Sequence, residues 1–330
     1  MTHPFAQYIQ LLGKGKRGAR DLTLQEAEHS MNMILTGQVE PVQLGAFLML
    51  MRVKEETSAE IAGFTRAARQ SLNVPQDFPR VDLDWAAYAG KRRQLPWFIL
   101  SALLLASHGN KVLMHGISVN TPERIYAPEA LASLGIVACS SFDEAARELR
   151  QRNFAFLQLN VMNPELQRIM DLKEILGLRS PIHTVVRQMN PASAPASIMG
   201  IFHPGYDVTH QGAAEILQDA NLAVFKGEGG ESERNPDTEC LVKLYVDGKG
   251  FEETWPALFS TRHVKDETMD IARLGQLWRG EIEDEYGQAA VTGTAALALR
   301  AMGRAGSMAD AECQANDLWQ RRNRELFAGA

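Results

Sequence analysis

A helix start lies within the stretch Arg20-Asp21-Leu22-Thr23-Leu24-Gln25-Glu26-Ala27, where Thr23 and Glu26 stand at the spacing of a capping box. In that motif the threonine hydroxyl accepts a hydrogen bond from the third helical amide, and the glutamate reaches back to the amide of the cap. The same signal recurs at Thr57-Ser58-Ala59-Glu60, and Pro41 suits the first position of a helix between the two. With a further helix near Phe5 to Leu12, these signals predict a small N-terminal bundle of four amphipathic helices.

Short apolar runs of strand length alternate with helix-length stretches after about residue 80. The runs are Val112 to Met114, Phe154 to Leu159, Ile198 to Phe202 and Leu222 to Phe225. This alternation predicts an α/β domain with a central, mostly parallel sheet. We therefore predict a helical domain over residues 1–74 and an α/β domain over residues 80–330, with a proline-containing linker between them. Helices near 164–189 are candidates for packing against the helical domain.

Composition places the chain among folded globular proteins. It has 330 residues, of which 45% are hydrophobic, so disorder and a disulfide scaffold are excluded. The longest uncharged apolar run, Leu95 to Ala106, is shorter than the roughly 20 residues that a membrane span needs. No basic patch followed by an apolar segment opens the sequence, and the three cysteines form no Cys-x-x-Cys pair. These features predict a cytoplasmic protein with buried free thiols and no membrane partner.

The net charge of -6 conceals an asymmetry along the chain. Residues 1–200 contain 21 Lys and Arg against 18 Asp and Glu, a balance of +3, whereas residues 201–330 contain 13 against 22, a balance of -9. The early excess lies in two basic clusters, which are Lys14, Lys16, Arg17 and Arg20, interleaved with glycines, and Lys91-Arg92-Arg93 after Gly90. Ammonium, guanidinium and backbone amide groups presented together suit phosphodiesters. A solvated, solubilising loop is the alternative, and spacing alone does not decide between the two.

Other chemical signals are weaker. His115-Gly116 follows a strand-like run, and ligands of open α/β sheets sit beyond the carboxyl ends of strands. The alternative is a strand that ends in a turn, with the imidazole bound by a backbone group. His203 and His210 are seven residues apart, which fits neither a helical pair of metal ligands nor a zinc-finger tail. Because no Gly-x-Ser-x-Gly elbow and no complete Walker A loop is present, hydrolase and kinase chemistry are disfavoured.

Four N-terminal segments carry a family pattern: Leu11-Leu12-Gly13, Arg20 to Ala27, Gly45 to Lys54 and Glu60 to Phe64. They strongly resemble the N-terminal domain of anthranilate phosphoribosyltransferases, and a looser likeness continues to Thr294-Ala295-Ala296-Leu297. The resemblance implies a small helical domain joined to a larger α/β domain, in a fold of the nucleoside phosphorylase and phosphoribosyltransferase type. It also implies a homodimer formed through the helical domain, and transfer of a phosphoribosyl group from 5-phosphoribosyl pyrophosphate (PRPP) to anthranilate with Mg²⁺.

The motifs that carry this chemistry in the family are altered in the sequence. The pyrophosphate loop Gly-Thr-Gly-Gly-Asp corresponds to Tyr88 to Arg93, where three cations replace the glycine cradle. The Lys-His-Gly-Asn-Arg segment keeps only His115-Gly116, and the metal-binding Asp-Glu pair falls at Ser232-Glu233. The Gly-Ser-Ala-Asp-x-Leu-Glu and His-Pro-x-Met-Lys patterns are also lost. Five altered motifs argue against ordinary PRPP chemistry, and a Mg²⁺ site is predicted only under the transferase alternative.

The long basic loop and the segment from Tyr88 to Gln94 resemble instead a divergent, YbiB-like branch of the family, which is associated with nucleic-acid binding. We therefore predict a homodimeric protein that binds DNA or RNA along a basic groove without sequence preference. The predicted phosphate contacts are Lys14, Lys16, Arg17, Arg20, Lys91, Arg92 and Arg93, with Lys173 and Arg179 in second rank.

Two alternatives remain open. The first is an active phosphoribosyl or related glycosyl transferase that uses PRPP and Mg²⁺ on anthranilate or another acceptor. The residues lining such a site would be Gly90, His115, Gly116, Ser118 and Glu233. The second is a scaffold that recognises another protein through the acidic C-terminal part of the chain.

Overall fold

The computed structural model describes residues 2–15, 17–119 and 123–327, so the predicted phosphate contact Lys16 lies outside the described residues. The helices are α1 (Ala6–Gly13), α2 (Leu24–Leu35), α3 (Pro41–Lys54), α4 (Ser58–Gln70), α5 (Phe98–Ser107), α6 (Ala127–Ala132), α7 (Phe142–Arg152), α8 (Leu159–Met162), α9 (Pro164–Asp171), α10 (Lys173–Leu176), α11 (Ile182–Val185), α12 (Tyr206–Leu217), α13 (Ala272–Arg279), α14 (Glu285–Ala301) and α15 (Met308–Gln320). The strands are β1 (Leu83–Ala87), β2 (Val112–Gly116), β3 (Phe154–Gln158), β4 (Ala196–Ile201), β5 (Asn221–Lys226), β6 (Cys240–Val246) and β7 (Lys249–Trp255). Short 3₁₀ segments lie at Glu228–Gly230 and Arg324–Phe327.

The N-terminal helices begin where the capping signals place them. Both capping boxes are closed by the expected pair of hydrogen bonds, at the starts of α2 and α4, and Pro41 is the first residue of α3. Phe47 of α3 packs edge to face against Phe5 and against Phe64 of α4, and all three rings are buried. Burying such a side chain contributes roughly 1.5–3 kcal/mol, so tertiary packing holds these helices together.

The sheet has seven strands in the order β3-β2-β1-β4-β5-β6-β7. The first five are parallel, and β6 and β7 extend the sheet as an antiparallel hairpin. The mostly parallel sheet predicted from the sequence is therefore confirmed, although the apolar runs identified only β2 to β5. The hairpin turns at Asp247-Gly248, two residues with positive φ, which is the geometry that an Asp-Gly turn favours.

Both faces of the sheet are covered. Trp85 of β1 faces the core formed with α5, α14 and α15, whereas Leu113 of β2 belongs to the core shared with the N-terminal helices. The segment from α8 to α11 joins this second layer, because Arg69 of α4 donates hydrogen bonds to the carbonyls of Gln188 and Met189. Helices from the middle of the chain thus pack against the N-terminal bundle.

The strand order creates a switch point between β1 and β4. The chain moves from β1 toward one edge of the sheet through β2 and β3, and then returns at β4 to build the other edge. Ligands of open α/β sheets bind beyond the carboxyl ends of strands at such a point. The segments that leave β1 and β4 there are residues 88–93 and 202–205, and they border a cleft between the sheet and the N-terminal helices.

Two further expectations concern the thiols and the membrane. Cys139 and Cys240 are buried free thiols, and burial raises the pKa of each to about 11. Cys313 is exposed on α15, so the expectation that all three thiols are buried is wrong. Among the described residues, no helix combines the length and the apolar character that crossing a membrane would require.

Candidate functional site

The loop after β1 turns the first basic residue inward. Gly90 has a φ of +68°, and a Cβ at this position would lie 2.9 Å from the ring of Tyr126, so only glycine fits. Lys91 then forms a two-way backbone bridge with Ile125. As a result, the Lys91 side chain is only 1% exposed.

The Lys91 ammonium makes a buried ion pair with Glu233. The second carboxylate oxygen of Glu233 accepts a hydrogen bond from the Phe98 amide at 2.8 Å. Burial raises the pKa of Glu233 to about 7, and the neighbouring ammonium opposes that rise. Since its charge is neutralised inside the protein, Lys91 is not a surface phosphate contact, which corrects the sequence prediction for this residue.

A second buried carboxylate accepts hydrogen bonds from the backbone amides of the loop after β1. Glu231 is buried, and its Oε1 accepts hydrogen bonds from the amide of Ala89, at 2.8 Å, and from the amide of Gly90. Burial raises the pKa of Glu231, while these two amides lower it. The sequence analysis did not place Glu231 on this loop. The loop therefore already holds an anion that belongs to the chain itself.

His115 lies inside β2 rather than beyond its end. Its Nδ1 is 2.7 Å from the Tyr88 hydroxyl, and its Nε2 is 3.2 Å from a carboxylate oxygen of Asp84, so the expected backbone partner is not what holds the ring. Gly116 is required by a close approach, because a Cβ would lie 2.0 Å from the Ala87 carbonyl oxygen. Ser118, just past the strand, is exposed. Of the residues proposed to line a transferase site, only Ser118 is open to solvent.

Four guanidinium groups gather at the cleft, and we call Arg52, Arg124, Arg179 and Arg187 the arginine cluster. Arg52, Arg179 and Arg187 line the cleft, and Arg124 lies close enough to Arg179 to lower its pKa. Arg124 donates to the carbonyls of Ala89 and Gly90 at 2.9 and 3.0 Å, and Arg187 lies 5.9 Å from the centre of the Tyr88 ring. Within the described part of the chain, none of the four makes an ion pair with a carboxylate. The sequence analysis singled out only Arg179, because the other three stand alone in the sequence.

The surroundings of the arginine cluster lower the pKa values of two of its guanidiniums. Partial burial lowers the pKa of Arg179, and the guanidiniums of Arg124 and Arg52 lower it further by repulsion. Burial also lowers the pKa of Arg187 to about 10. One carboxylate, Glu56, lines the cleft; burial raises its pKa, and Tyr206 donates a hydrogen bond to it at 3.0 Å. The cleft therefore favours an anionic ligand.

The remaining predicted contacts divide into paired and unpaired cations. Arg20 forms a two-pronged ion pair with Glu26, and Arg92 lies 3.2 Å from Glu123. The cations that are exposed and have no carboxylate partner among the described residues are Lys14, Arg17, Arg93, Lys173 and Arg179. Of these, Arg179 belongs to the arginine cluster and Lys173 lines the adjoining part of the cleft, while the hydrogen bonds of the basic loop run to the helical domain.

Comparison with known proteins agrees with this architecture. Residues 6–72 match the helical bundle domain of a glycosyl transferase family. The chain is 32% identical over 254 residues to an uncharacterized protein of Aquifex aeolicus, with 76% of each chain covered. It is 27% identical over 300 residues to the anthranilate phosphoribosyltransferase of Burkholderia multivorans, with 88% of this chain and 87% of that one covered. The chain belongs to the anthranilate phosphoribosyltransferase-like family.

Solved structures support the fold of this family. The crystal structure of anthranilate phosphoribosyltransferase from Thermus thermophilus superposes with a TM-score of 0.82 at 22% identity, covering 99% of this chain and 97% of that one. The Saccharomyces cerevisiae enzyme in complex with PRPP and Mg superposes with a TM-score of 0.77 at 15% identity, over 98% and 96% of the two chains. A small helical domain with a larger, mostly parallel α/β domain is thus confirmed.

The residues present do not fit the Mg²⁺ that the family's reaction uses. Both carboxylate oxygens of Glu233 are engaged, by Lys91 and by the Phe98 amide. The neighbouring Ser232 hydroxyl donates to the Ala86 carbonyl at 3.0 Å and accepts from the Gly200 amide at 2.8 Å. In the described ranges, no group of three or more His, Cys, Asp or Glu side chains could hold a metal ion. Hard cations need several free oxygen ligands, and neither Glu233 nor Ser232 offers one.

Proposed function

We propose that this member of the anthranilate phosphoribosyltransferase-like family binds the phosphate backbone of nucleic acid without sequence preference, as its YbiB-like features suggest. The arginine cluster carries the proposal, because three of its guanidiniums line one cleft with the fourth beside them, and none of the four makes a direct ion pair with a carboxylate among the described residues. The positive charges of neighbouring guanidiniums repel one another, which destabilises the protein. A bound anion relieves this repulsion. The two non-bridging oxygens of a phosphodiester can accept two parallel hydrogen bonds from one guanidinium.

Further exposed cations lie outside the cluster. Lys14, Arg17, Arg93 and Lys173 are exposed and unpaired among the described residues, so each can contact phosphate without breaking an internal ion pair. Such contacts release condensed counterions from the strand and carry no base information. Affinity is therefore expected to fall steeply with salt and to vary little with sequence.

The test is fluorescence anisotropy with generic DNA and RNA oligonucleotides over a salt titration. Substituting Arg52→Glu and Arg179→Glu together is expected to weaken binding by roughly 100-fold, since two charge-assisted contacts of about 1.5 kcal/mol each are lost. Lys249→Glu, at the exposed start of β7, is the matched charge reversal outside the cleft and is expected to change affinity much less. Equal losses in the two proteins would contradict a site at the arginine cluster.

A transferase is the second candidate, favoured by relatives that cover most of the chain and carry the name anthranilate phosphoribosyltransferase. Under this alternative, phosphoribosyl transfer from PRPP would take place at Gly90, His115, Gly116, Ser118 and Glu233. Glu231 is bound by the Ala89 amide and Glu233 by Lys91, so neither carboxylate is free to serve a transferase site. Calorimetry with PRPP and Mg²⁺, with and without anthranilate, separates the two candidates. Saturable micromolar binding would favour the transferase, and heat-silent titration beside tight oligonucleotide binding would exclude it.

A homodimer through the helical domain is part of the same proposal. Val42 and Val53 of α3 are 79% and 83% exposed, and their spacing of eleven residues places them on one face of the helix. Contact with a second copy of the helix would remove both side chains from water, which is favourable. Sedimentation of the wild-type protein and of Val53→Asp tests this: a dimer that the substitution dissociates is expected, and a wild-type monomer would contradict it.

A further inference from the structure

An exposed aromatic side chain lies at the rim of the arginine cluster. Phe202 follows β4 directly and is 55% exposed, although it is a large apolar residue. Its ring packs edge to face against the ring of His203, with 5.0 Å between the two ring centres. Both rings line the same cleft as Arg52, Arg179 and Arg187. A flat apolar surface is therefore held next to unpaired cations.

Two further histidines, His183 and His210, line the same cleft. Burial lowers the pKa of His183 to about 3, with repulsion from Arg179 and Arg187 adding to the effect, and burial likewise lowers the pKa of His210 to about 3. Both imidazoles are thus neutral at physiological pH. The positive charge of the cleft therefore comes from the guanidiniums and not from these imidazoles.

The cleft is open to solvent at its mouth, and its volume with the mouth included is about 550 Å³. The loop beside Phe202 contains Gly205, whose φ is +96°, and a Cβ at this glycine would have no neighbouring atom within 4 Å. Nothing in the described chain covers this side of the loop.

From this arrangement we infer that the cleft takes a single strand, with at least one base stacked on Phe202 while the arginine cluster binds the flanking phosphates. The inference rests on the proposed nucleic-acid function. Stacking on an aromatic ring needs a base whose face is free, and the bases of a duplex have both faces covered by their neighbours. Phosphate contacts alone would accept single and double strands alike.

Three probes of equal length separate stacking from phosphate binding. They are a 12-nucleotide oligothymidine, a 12-nucleotide strand of abasic sites that keeps the phosphates, and a 12-base-pair duplex. Oligothymidine is expected to bind roughly tenfold more tightly than the abasic strand, the effect of about one stacked base. It is also expected to bind more tightly than the duplex at the same salt concentration. Equal affinity for oligothymidine and the abasic strand would overturn the inference.

Substitutions at Phe202 test which ring is used. Phe202→Leu keeps apolar bulk but removes the flat face, so oligothymidine affinity is expected to fall to the level of the abasic strand while abasic binding is unchanged. Phe202→Trp is expected to restore the preference. Phe251→Leu, at a partly exposed phenylalanine of β7, is the matched control and is expected to retain wild-type values.

The outcomes distinguish this inference from the function on which it rests. If no probe binds the wild-type protein, the proposed function fails and the inference fails with it. If all three probes bind equally and Phe202→Leu changes nothing, the inference alone is overturned and the phosphate contacts stand.

Discussion

Two charged regions border the same switch point of the sheet, and they differ in how their charges are used. Lys91, Glu231 and Glu233 form a closed cluster, in which each charge is buried and bound by another group of the chain. The arginine cluster is open to the cleft, and its guanidiniums have no carboxylate partners among the described residues. A basic residue in the sequence therefore does not by itself indicate a phosphate contact, since its pairing and burial decide whether the charge is available.

The two regions also differ in energetic role. Removing one partner of a buried ion pair leaves an uncompensated charge and is strongly destabilising. An unpaired cation at a cleft has the opposite character, because its loss costs the fold little and its charge is free for a ligand. The closed cluster is thus expected to govern stability, and the open cluster is expected to govern binding.

The largest expected effect is on stability at the closed cluster. Lys91→Gln removes the only cation bound to Glu233 among the described residues and is expected to lower the free energy of unfolding by about 3–5 kcal/mol. Arg20→Gln, which breaks the exposed pair with Glu26, is the control and is expected to cost about 1 kcal/mol or less. Urea denaturation measures both. Equal stability of Lys91→Gln and wild type would contradict the closed cluster.

A smaller effect concerns the pH dependence of stability, through the buried His210 that lines the cleft. The pKa of His210 is lowered to about 3 in the folded protein, against 6.5 as its ordinary value. The unfolded chain therefore binds a proton below pH 6.5 that the folded chain does not, and this group's share of stability is lost as the pH falls toward 3, by up to about 1.4 kcal/mol per pH unit.

His210→Asn is expected to flatten the dependence of unfolding free energy on pH between 6.5 and 4.5. The same substitution at the exposed His203 controls for the loss of a histidine as such. Denaturant melts across this pH range measure the difference between each variant and the wild type. A wild-type slope retained in His210→Asn would contradict a buried, neutral imidazole.

The smallest expected effect is on oligonucleotide affinity, in a comparison of variants at two neighbouring arginines. Arg93 is exposed and unpaired among the described residues, whereas Arg92 is paired with Glu123. Arg93→Ala is expected to weaken oligonucleotide binding severalfold and to reduce the salt slope by about 0.7, the value for one phosphate of a single strand. Arg92→Ala is expected to change both less. A larger loss at Arg92 would mean that ion pairing in the free protein does not decide which cations bind.

Local signals in the sequence predicted much of the fold. The boxes at Thr23 and Thr57 are set by residues three positions apart, so the starts of α2 and α4 could be predicted from the sequence. The hairpin of β6 and β7 also had a local signal, Asp247-Gly248. The search for apolar runs missed β6 because Lys243 interrupts its apolar residues. β1 was missed because its five buried residues include the polar Asp84.

The candidate site depended on contacts that no local pattern encodes. Glu233 pairs with Lys91 across 142 positions, and Glu231 reaches the Ala89 amide across the same separation. The arginine cluster is drawn from α3, the segment before α6, and the region around α11, and three of its members lie outside any basic run. Sequence spacing therefore found the exposed basic loop but misassigned Lys91 and missed three of the four clustered arginines.

The most direct test of the central claim is the salt dependence of oligonucleotide affinity in two double variants. Arg52→Ala with Arg179→Ala is expected to make the slope of log affinity against log salt shallower by about 1.4 for a single strand, because two phosphate contacts are lost. Lys91→Met with Glu233→Met, which replaces the buried pair by apolar side chains, is expected to leave the slope unchanged. A slope that changes in the second variant but not in the first would contradict the account.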